Sequence, residues 1–313
     1  ALGTNTSGSD NIAIGLDAVL NPDTESNNIG IGRAALGGPV AGGEYNVAIG
    51  NYSLDALTSG DENVAVGYQA ATRLTTGSFS TYLGSEAGVQ ATSASHNVGV
   101  GYQSAGSNTA STGNENTCVG NYSGFKITSG ASNTIIGYDS MFNLTTGSNN
   151  ISIGVDAGVT GSPGGNLTTS SNKVHFGDEN INACHIQTDW TVASDQRDKT
   201  DFAALDIGLD FINDLKPYTY KWDKRSKYGD KKADDYDLNT QTPDGTHKED
   251  WLDIGFKAQE VEVLEKAAGY KIAEKTNLTT SLTDDGKQYG IKYNKFVPIL
   301  VKAIQELSAK VKE

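Results

Sequence analysis

The fold class that this sequence predicts is a mainly β repeat array, a parallel β-roll or β-helix-like stack, followed by an α+β domain ending in a coiled-coil helix. Three observations predict it. A short pattern closing on glycine recurs nine times in the first half. The second half loses that repeat and mixes helical with β-prone segments. The C-terminal stretch carries apolar residues at heptad spacing.

The repeat units are Asn-Ile-Ala-Ile-Gly (11–15), Asn-Ile-Gly-Ile-Gly (28–32), Asn-Val-Ala-Ile-Gly (46–50), Asn-Val-Ala-Val-Gly (63–67), Ser-Thr-Tyr-Leu-Gly (80–84), Asn-Val-Gly-Val-Gly (97–101), Asn-Thr-Cys-Val-Gly (116–120), Asn-Thr-Ile-Ile-Gly (133–137) and Asn-Ile-Ser-Ile-Gly (150–154). Their closing glycines are spaced by 17, 18, 17, 17, 17, 19, 17 and 17 residues. Three residues before the glycine stands a β-branched residue (Ile12, Ile29, Val47 and so on to Ile151). One residue before it stands an aliphatic residue (Ile14 through Ile153). These positions lie two apart and face one side of a short, half-buried strand. One unit cannot bury its own apolar face, but a stack of nine can. Three residues after the glycine the chain always has Ala or Ser (Ala18, Ala35, Ser53, Ala70, Ala87, Ser104, Ser123, Ser140, Ala157), which implies close packing of successive coils. The glycine suits a turn geometry closed to other residues. The leading Asn suits two roles, a stacked ladder of side-chain amides or satisfaction of local turn backbone.

Whole-chain numbers fit this picture. Only 36% of the 313 residues are hydrophobic and 37 are Gly, which is thin for a conventional core. Stacked units or neighbouring subunits supply the missing buried surface. Cys118 and Cys184 have no paired spacing, which speaks against a disulfide framework or a zinc site. His96, His175, His185 and His247 are scattered without ligand spacing, so no metal and no cofactor is expected. There is no P-loop and no G-x-S-x-G elbow. No apolar run reaches membrane-spanning length, and no signal peptide is visible. The chain opens Ala-Leu-Gly without Met, which suggests missing upstream sequence. Residues 1–193 hold four Lys/Arg against fifteen Asp/Glu, a balance of −11 within a total of −14. So acidic a region argues against nucleic acid as a partner.

The organisation read from these signals is a repeat region over 1–160, a linker with terminal strands over 161–193, and a C-terminal domain over 194–313. Gly161–Gly165 reads as a loop, and Asn172–Gly177 as a degenerate last strand. Ala183–Val192 is apolar and β-prone, with Trp190 suited to plug the end of the array. In the C-terminal domain, Ala203–Leu215 reads as helical and Tyr218–Trp222 as β-prone. Lys224–Asp250 reads as a mobile charged loop, and Gly255–Ala268 as a helix with Val261 and Leu264 on one face. Tyr293, Val297, Leu300, Ile304, Leu307 and Val311 are spaced 4, 3, 4, 3, 4, a heptad seam on which three parallel helices would align. The alternative is a surface helix packed on its own domain.

The unit Asn-x-Ala-Ile-Gly-x-x-Ala resembles the head repeats of trimeric autotransporter adhesins of the YadA type, which also occur in phage fibres, although the period here is longer. That resemblance implies a surface-exposed, trimeric adhesive or spacer element. Ser194-Asp-x-Arg-x-Lys199, Gly208–Pro217 with Tyr220–Asp223, Ile254–Val261 and Tyr289–Tyr293 running into Val297–Leu307 together resemble the intramolecular chaperone domain of phage endosialidases and tail fibres, the S74 peptidase type. This resemblance implies self-cleavage at Ala193–Ser194, with Ser194 as nucleophile and Lys199 as general base. Serine needs a neighbour to take its proton, and lysine does so only when burial or nearby positive charge favours its neutral form. Arg197 is one such neighbour. Asp195 and Asp198 act against it unless turned outward. Cleavage by acyl shift to the Ser194 hydroxyl and by direct attack of water both remain open. The bland alternative is that Ser194, Asp195 and Lys199 cap a helix or turn.

The resulting expectation is a homotrimeric virion tail-fibre or host-attachment protein, synthesised in the host cytoplasm. Its partners would be other virion tail proteins upstream and a host surface receptor, with glycan as one class. Neither nucleic acid nor membrane insertion is expected. Alternatives are a polysaccharide depolymerase fibre, a bacterial trimeric adhesin, and a fibre that retains an uncleaved chaperone domain.

Overall fold

The computed structural model describes all residues except 1, 4, 21–23, 39–42, 107–108, 232, 234 and 313. The chain forms two compact units, Ala1–Asn180 and Ile181–Glu313.

The first unit is a parallel β-solenoid. Its three-residue strands are β1 (Ile12–Ile14), β2 (Ile29–Ile31), β3 (Val47–Ile49), β4 (Val64–Val66), β5 (Thr81–Leu83), β6 (Val98–Val100), β7 (Thr117–Val119), β8 (Thr134–Ile136), β9 (Ile151–Ile153) and β10 (Val174–Phe176). Each pairs in parallel with the next, so one ten-stranded sheet runs in sequence order. Register follows the glycine phase, from Ile12 opposite Ile29 to Ile151 opposite Val174. The degenerate copy at 172–177 therefore supplies the tenth strand.

The closing glycines adopt φ from +123° (Gly154) to +142° (Gly67), a region that L side chains rarely enter. A Cβ on Gly120 would lie 2.5 Å from the Gly137 carbonyl oxygen of the next coil. Close approach of backbone to backbone thus fixes this residue type. The Ala/Ser position is fully buried in all nine copies. Ser53 and Ser123 also donate to the Gly50 and Gly120 carbonyls at 2.9 and 2.8 Å.

The leading asparagines fill both roles. Each Oδ1 accepts the backbone N–H of the equivalent residue one coil on: Asn46 to Asn28 at 2.9 Å, Asn63 to Asn46 at 3.0 Å, Asn133 to Asn116 at 3.1 Å. Each Nδ2 donates to a turn carbonyl, as Asn63 does to Gly77 at 2.8 Å. Ser80, the exception in sequence, keeps the ladder continuous: its N–H donates to Asn63 at 3.1 Å, and its Oγ accepts from Asn97 at 3.2 Å.

The structure corrects the expected facing of the strands. The middle residue points into the coil, and the flanking apolar pair points out. Ala48, Ala65, Tyr82, Cys118 and Ile135 are buried, whereas Ile12, Ile14, Ile49, Leu83, Ile136, Ile151, Ile153, Val174 and Phe176 are exposed. The interior is narrow and takes small residues at most levels. Where Tyr82 enters it, Gly88 and Gly99 make room; a Cβ on Gly99 would stand 2.9 Å from the Tyr82 ring. Buried Leu54, Leu57, Leu74, Met141 and Leu144 fill the rest.

The second unit is a small α/β arrangement. Helix α1 (Leu209–Asp214) is followed by β11 (Tyr218–Tyr220), β12 (Asp253–Gly255), α2 (Ala258–Ala267), β13 (Thr280–Leu282), β14 (Tyr289–Ile291) and α3 (Phe296–Lys312). β11 pairs antiparallel with β12, and β13 with β14. Ile207, Phe211, Val261, Phe296 and Ile299 form the core.

Three expectations change here. α1 begins six residues later than the pattern suggested, where Glu306 Oε2 of α3 accepts the Leu209 N–H at 2.7 Å. It ends ahead of the pair Lys216-Pro217, which continuing helix does not tolerate. α2 begins at Ala258 rather than Gly255, because Gly255 belongs to β12 opposite Tyr218. The charged insertion is folded rather than a mobile loop. Arg225 donates to the Lys287 and Leu238 carbonyls at 2.6 and 3.3 Å, Asp237 pairs with Lys287 at 2.8 Å, and Leu238 is buried. Residues 232 and 234 of that insertion lie outside the described residues.

Candidate functional site

The sequence Ser-Asp-Gln-Arg-Asp-Lys folds back on itself. Residues Gln196–Asp198 make one 3₁₀ turn, with Asp195 as its cap: the Asp195 carboxylate accepts the Arg197 N–H at 2.9 Å. The Lys199 N–H closes the turn on the Gln196 carbonyl at 3.2 Å. A turn of this size returns Lys199 to Ser194. Lys199 Nζ donates to Ser194 Oγ at 2.5 Å and to the Ser194 carbonyl at 3.2 Å. The predicted pair is therefore in direct contact, assembled by five residues of local structure.

Asp195 and Arg197 form a second pair, with Nη2 at 2.6 Å from Oδ2. The Arg197 side chain, then its N–H, hold the Asp195 carboxyl below the usual aspartate range, and Asp195 raises Arg197 in turn. Arg197 is thus engaged with Asp195, and the two carboxylate oxygens are turned toward the guanidinium. Ala193, Ser194, Asp195, Arg197 and Lys199 are all exposed. The cap reading of Asp195 also holds, and it coexists with the Ser194–Lys199 contact.

The heptad seam stands free. Val297, Ile304 and Val311 are 60, 64 and 79% exposed, and Leu300 and Leu307 are likewise open, as is Tyr293. The opposite face of α3 packs on its own domain through Phe296, Ile299 and Ala303. The reading of a helix packed on its own domain therefore holds for one face, and the heptad face is left uncovered in the single chain. Trp190, expected as a plug, is exposed.

Sequence reasoning missed two carboxylates that build the domain. Glu265 is fully buried on α2. It accepts the Leu278 and Thr279 N–H groups at 3.1 and 2.5 Å, the Thr279 hydroxyl at 2.8 Å, the Thr280 N–H at 3.3 Å, and the Thr280 hydroxyl. Burial pushes its carboxyl up, but these hydrogen bonds outweigh it and hold the group below its usual range. Glu306 holds the start of α1 and pairs with Lys302 at 3.3 Å. The only local signal for either was an acid on a helix.

Residues 194–270 match the Peptidase_S74 family, chaperone of endosialidase. The match begins at Ser194 itself, so the family boundary coincides with the bond expected to be cut. The S74 region is about a quarter of the chain and implies a role in folding or trimerisation of a tail-fibre-like protein. Searches of curated proteins and of solved structures return no match. Among the described residues no cluster of His, Cys, Asp and Glu is arranged to hold a metal ion, and no helix is long and apolar enough to cross a membrane.

Proposed function

We propose that this chain is a homotrimeric tail-fibre-like protein of a virion, whose solenoid is a host-attachment shaft. Its S74 domain drives folding and trimerisation and is released by self-cleavage at Ala193–Ser194. The observation that carries this reading is the Ser194–Lys199 contact at the first residue of the family match.

In the acyl-shift route, neutral Lys199 takes the Ser194 hydroxyl proton while Oγ bonds to the Ala193 carbonyl carbon. The Ala193–Ser194 C–N bond breaks, and the nitrogen gains a proton. Water then hydrolyses the ester, leaving an Ala193 carboxylate and a free Ser194 amine. In the direct route, water attacks the same carbon while the same lysine accepts its proton, the Ala193–Ser194 C–N bond breaks, and the lysine returns the proton to the leaving nitrogen. Assembly would supply the burial that Lys199 lacks in one chain.

Two apolar surfaces support self-association. The outward pairs of β1–β10 make a stripe ten rungs long, roughly 43 Å at about 4.8 Å per rung. Apolar but for Thr81, Thr117 and Thr134, a surface of that extent on a single chain marks an interaction face. The α3 seam is the second such face. Three copies is the number implied by both family resemblances, and a parallel helix trimer at the C-terminal end would hold three solenoids in register before their stripes meet.

The test is a denaturing gel of the expressed full chain. Fragments of 193 and 120 residues are expected, the smaller beginning at Ser194. Ser194→Ala and Lys199→Met should each leave the chain whole. An uncut wild-type chain that still assembles would favour a retained, uncleaved chaperone domain. Sugar release from capsular polysaccharide would favour the depolymerase reading.

A further inference from the structure

The turn that brings Lys199 to Ser194 holds a second pair nested inside the first, Asp195 with Arg197. One neighbour binds both oxygens of the Asp195 carboxylate. Oδ1 accepts the Arg197 N–H at 2.9 Å and Nε at 3.1 Å, and Oδ2 accepts Nε at 3.2 Å and Nη2 at 2.6 Å. A guanidinium makes this two-point contact because its planar fork matches a carboxylate. Lys199 Nζ rests on the residue next to Asp195 in the chain, at the Ser194 hydroxyl and carbonyl. Asp195 is therefore the natural rival of Ser194 for that ammonium, which is a mobile point charge on a flexible stem. Such pairing would take Nζ off Oγ and would favour the charged lysine, which cannot accept a proton. Asp198 and Asp201, the other carboxylates of this exposed stretch, belong to neither pair. Among the described residues no hydrogen bond or ion pair joins the turn to another element.

We propose that Arg197 is a positioning residue for the self-cleavage: by occupying the Asp195 carboxylate, it leaves Lys199 Nζ on Ser194 Oγ. The inference rests on the cleavage reading above and gives a task to a residue hydrogen-bonded to neither Ser194 nor Lys199. Arg197 acts on Asp195 rather than directly on Lys199. The two functions of Asp195 then separate. Its Oδ1 caps the turn through the Arg197 N–H, whereas its charge is what the guanidinium holds. An asparagine at 195 would keep the cap and carry no charge to be held.

The test follows the 120-residue fragment as it appears from freshly synthesised full chain moved into buffers of stepped pH. The wild type is compared with Arg197→Met, and with Arg197→Met combined with Asp195→Asn. Arg197→Met should slow cleavage about tenfold at neutral pH and move the rising limb of the rate–pH profile up by about one unit, the shift of a lysine newly paired with a carboxylate. Adding Asp195→Asn should restore both the rate and the profile. An Arg197→Met chain that cleaves with the wild-type rate and profile overturns the assignment while the cleavage reading stands. A slowing equal at every pH overturns it too, because Arg197 would then act only through the shape of the turn. A slowing that Asp195→Asn does not reverse also overturns it, because Arg197 would then act on Lys199 without Asp195. A wild-type chain that stays whole overturns both readings.

Discussion

The solenoid is held by short-period contacts used again at every coil, whereas the C-terminal unit is held by a few long-range contacts used once. In the solenoid, Asn63 binds the coil before and the coil after it, 17 residues away in each direction. In the C-terminal unit, Glu306 reaches Leu209 across 97 residues, and Glu265 gathers Leu278–Thr280. A repeated ladder propagates readily once a first coil has formed, but nothing in it selects where to start or which copy to join. A domain with a unique core settles its own register and can present an apolar seam to other copies. Under the assembly reading proposed above, this difference is what a C-terminal helper would offset.

The comparison breaks most visibly at the closing glycines. Gly120→Ala forces a side chain into φ +127° and against the Gly137 carbonyl. The cost of strain alone is about 1–3 kcal/mol, before any clash is counted. Loss of the solenoid's β signal in circular dichroism is expected, with the C-terminal unit intact. In the C-terminal unit, Ile299→Ala empties a buried position and should cost about 2–5 kcal/mol. Leu300→Asp with Ile304→Asp, on the exposed face of the same helix, should leave the unfolding midpoint nearly unchanged but abolish association in light scattering. Asn63→Ala should lower solenoid stability by about 2–4 kcal/mol through buried groups left unpaired. Asn63→Ser should cost less, since Ser80 already serves one coil on.

Acid should separate the two units. The folded-state pKa of Glu265 is depressed, so its contribution is present above the unfolded glutamate value and is lost as pH falls through the folded one. The C-terminal unit should therefore melt at lower temperature as pH drops below the ordinary glutamate range, and Glu265→Gln should remove the part of that dependence that Glu265 carries. The smallest effect is expected from Asp195→Ala at the exposed turn. It should leave the unfolding midpoint in place and slow the appearance of the 120-residue fragment, because Asp195 caps the turn that brings Lys199 to Ser194.

Strand positions were legible because the glycine phase marks every coil, and even the degenerate copy at 172–177 fell in register. Their facing was not. Alternation says which residues share a side, but not which side is the interior, and here the middle residue of each strand faces the interior while the flanking pair points out. Ser194 and Lys199 were singled out by a motif resemblance, and the turn that brings them into contact is local. Glu265 and Glu306 were not, since their partners are distant in sequence and an acid on a helix carries no mark of its target. The folded state of the charged insertion was hidden for the same reason: Arg225 is satisfied by the Lys287 carbonyl, 62 residues away.

The most direct test is the mass in solution of the uncut Ser194→Ala chain. Three copies of the 32.9 kDa chain, with the solenoid's β signal present, are expected. A monodisperse species of 32.9 kDa with the same β signal would contradict the account, because the solenoid would then form without the partners its outward stripe and the α3 seam call for.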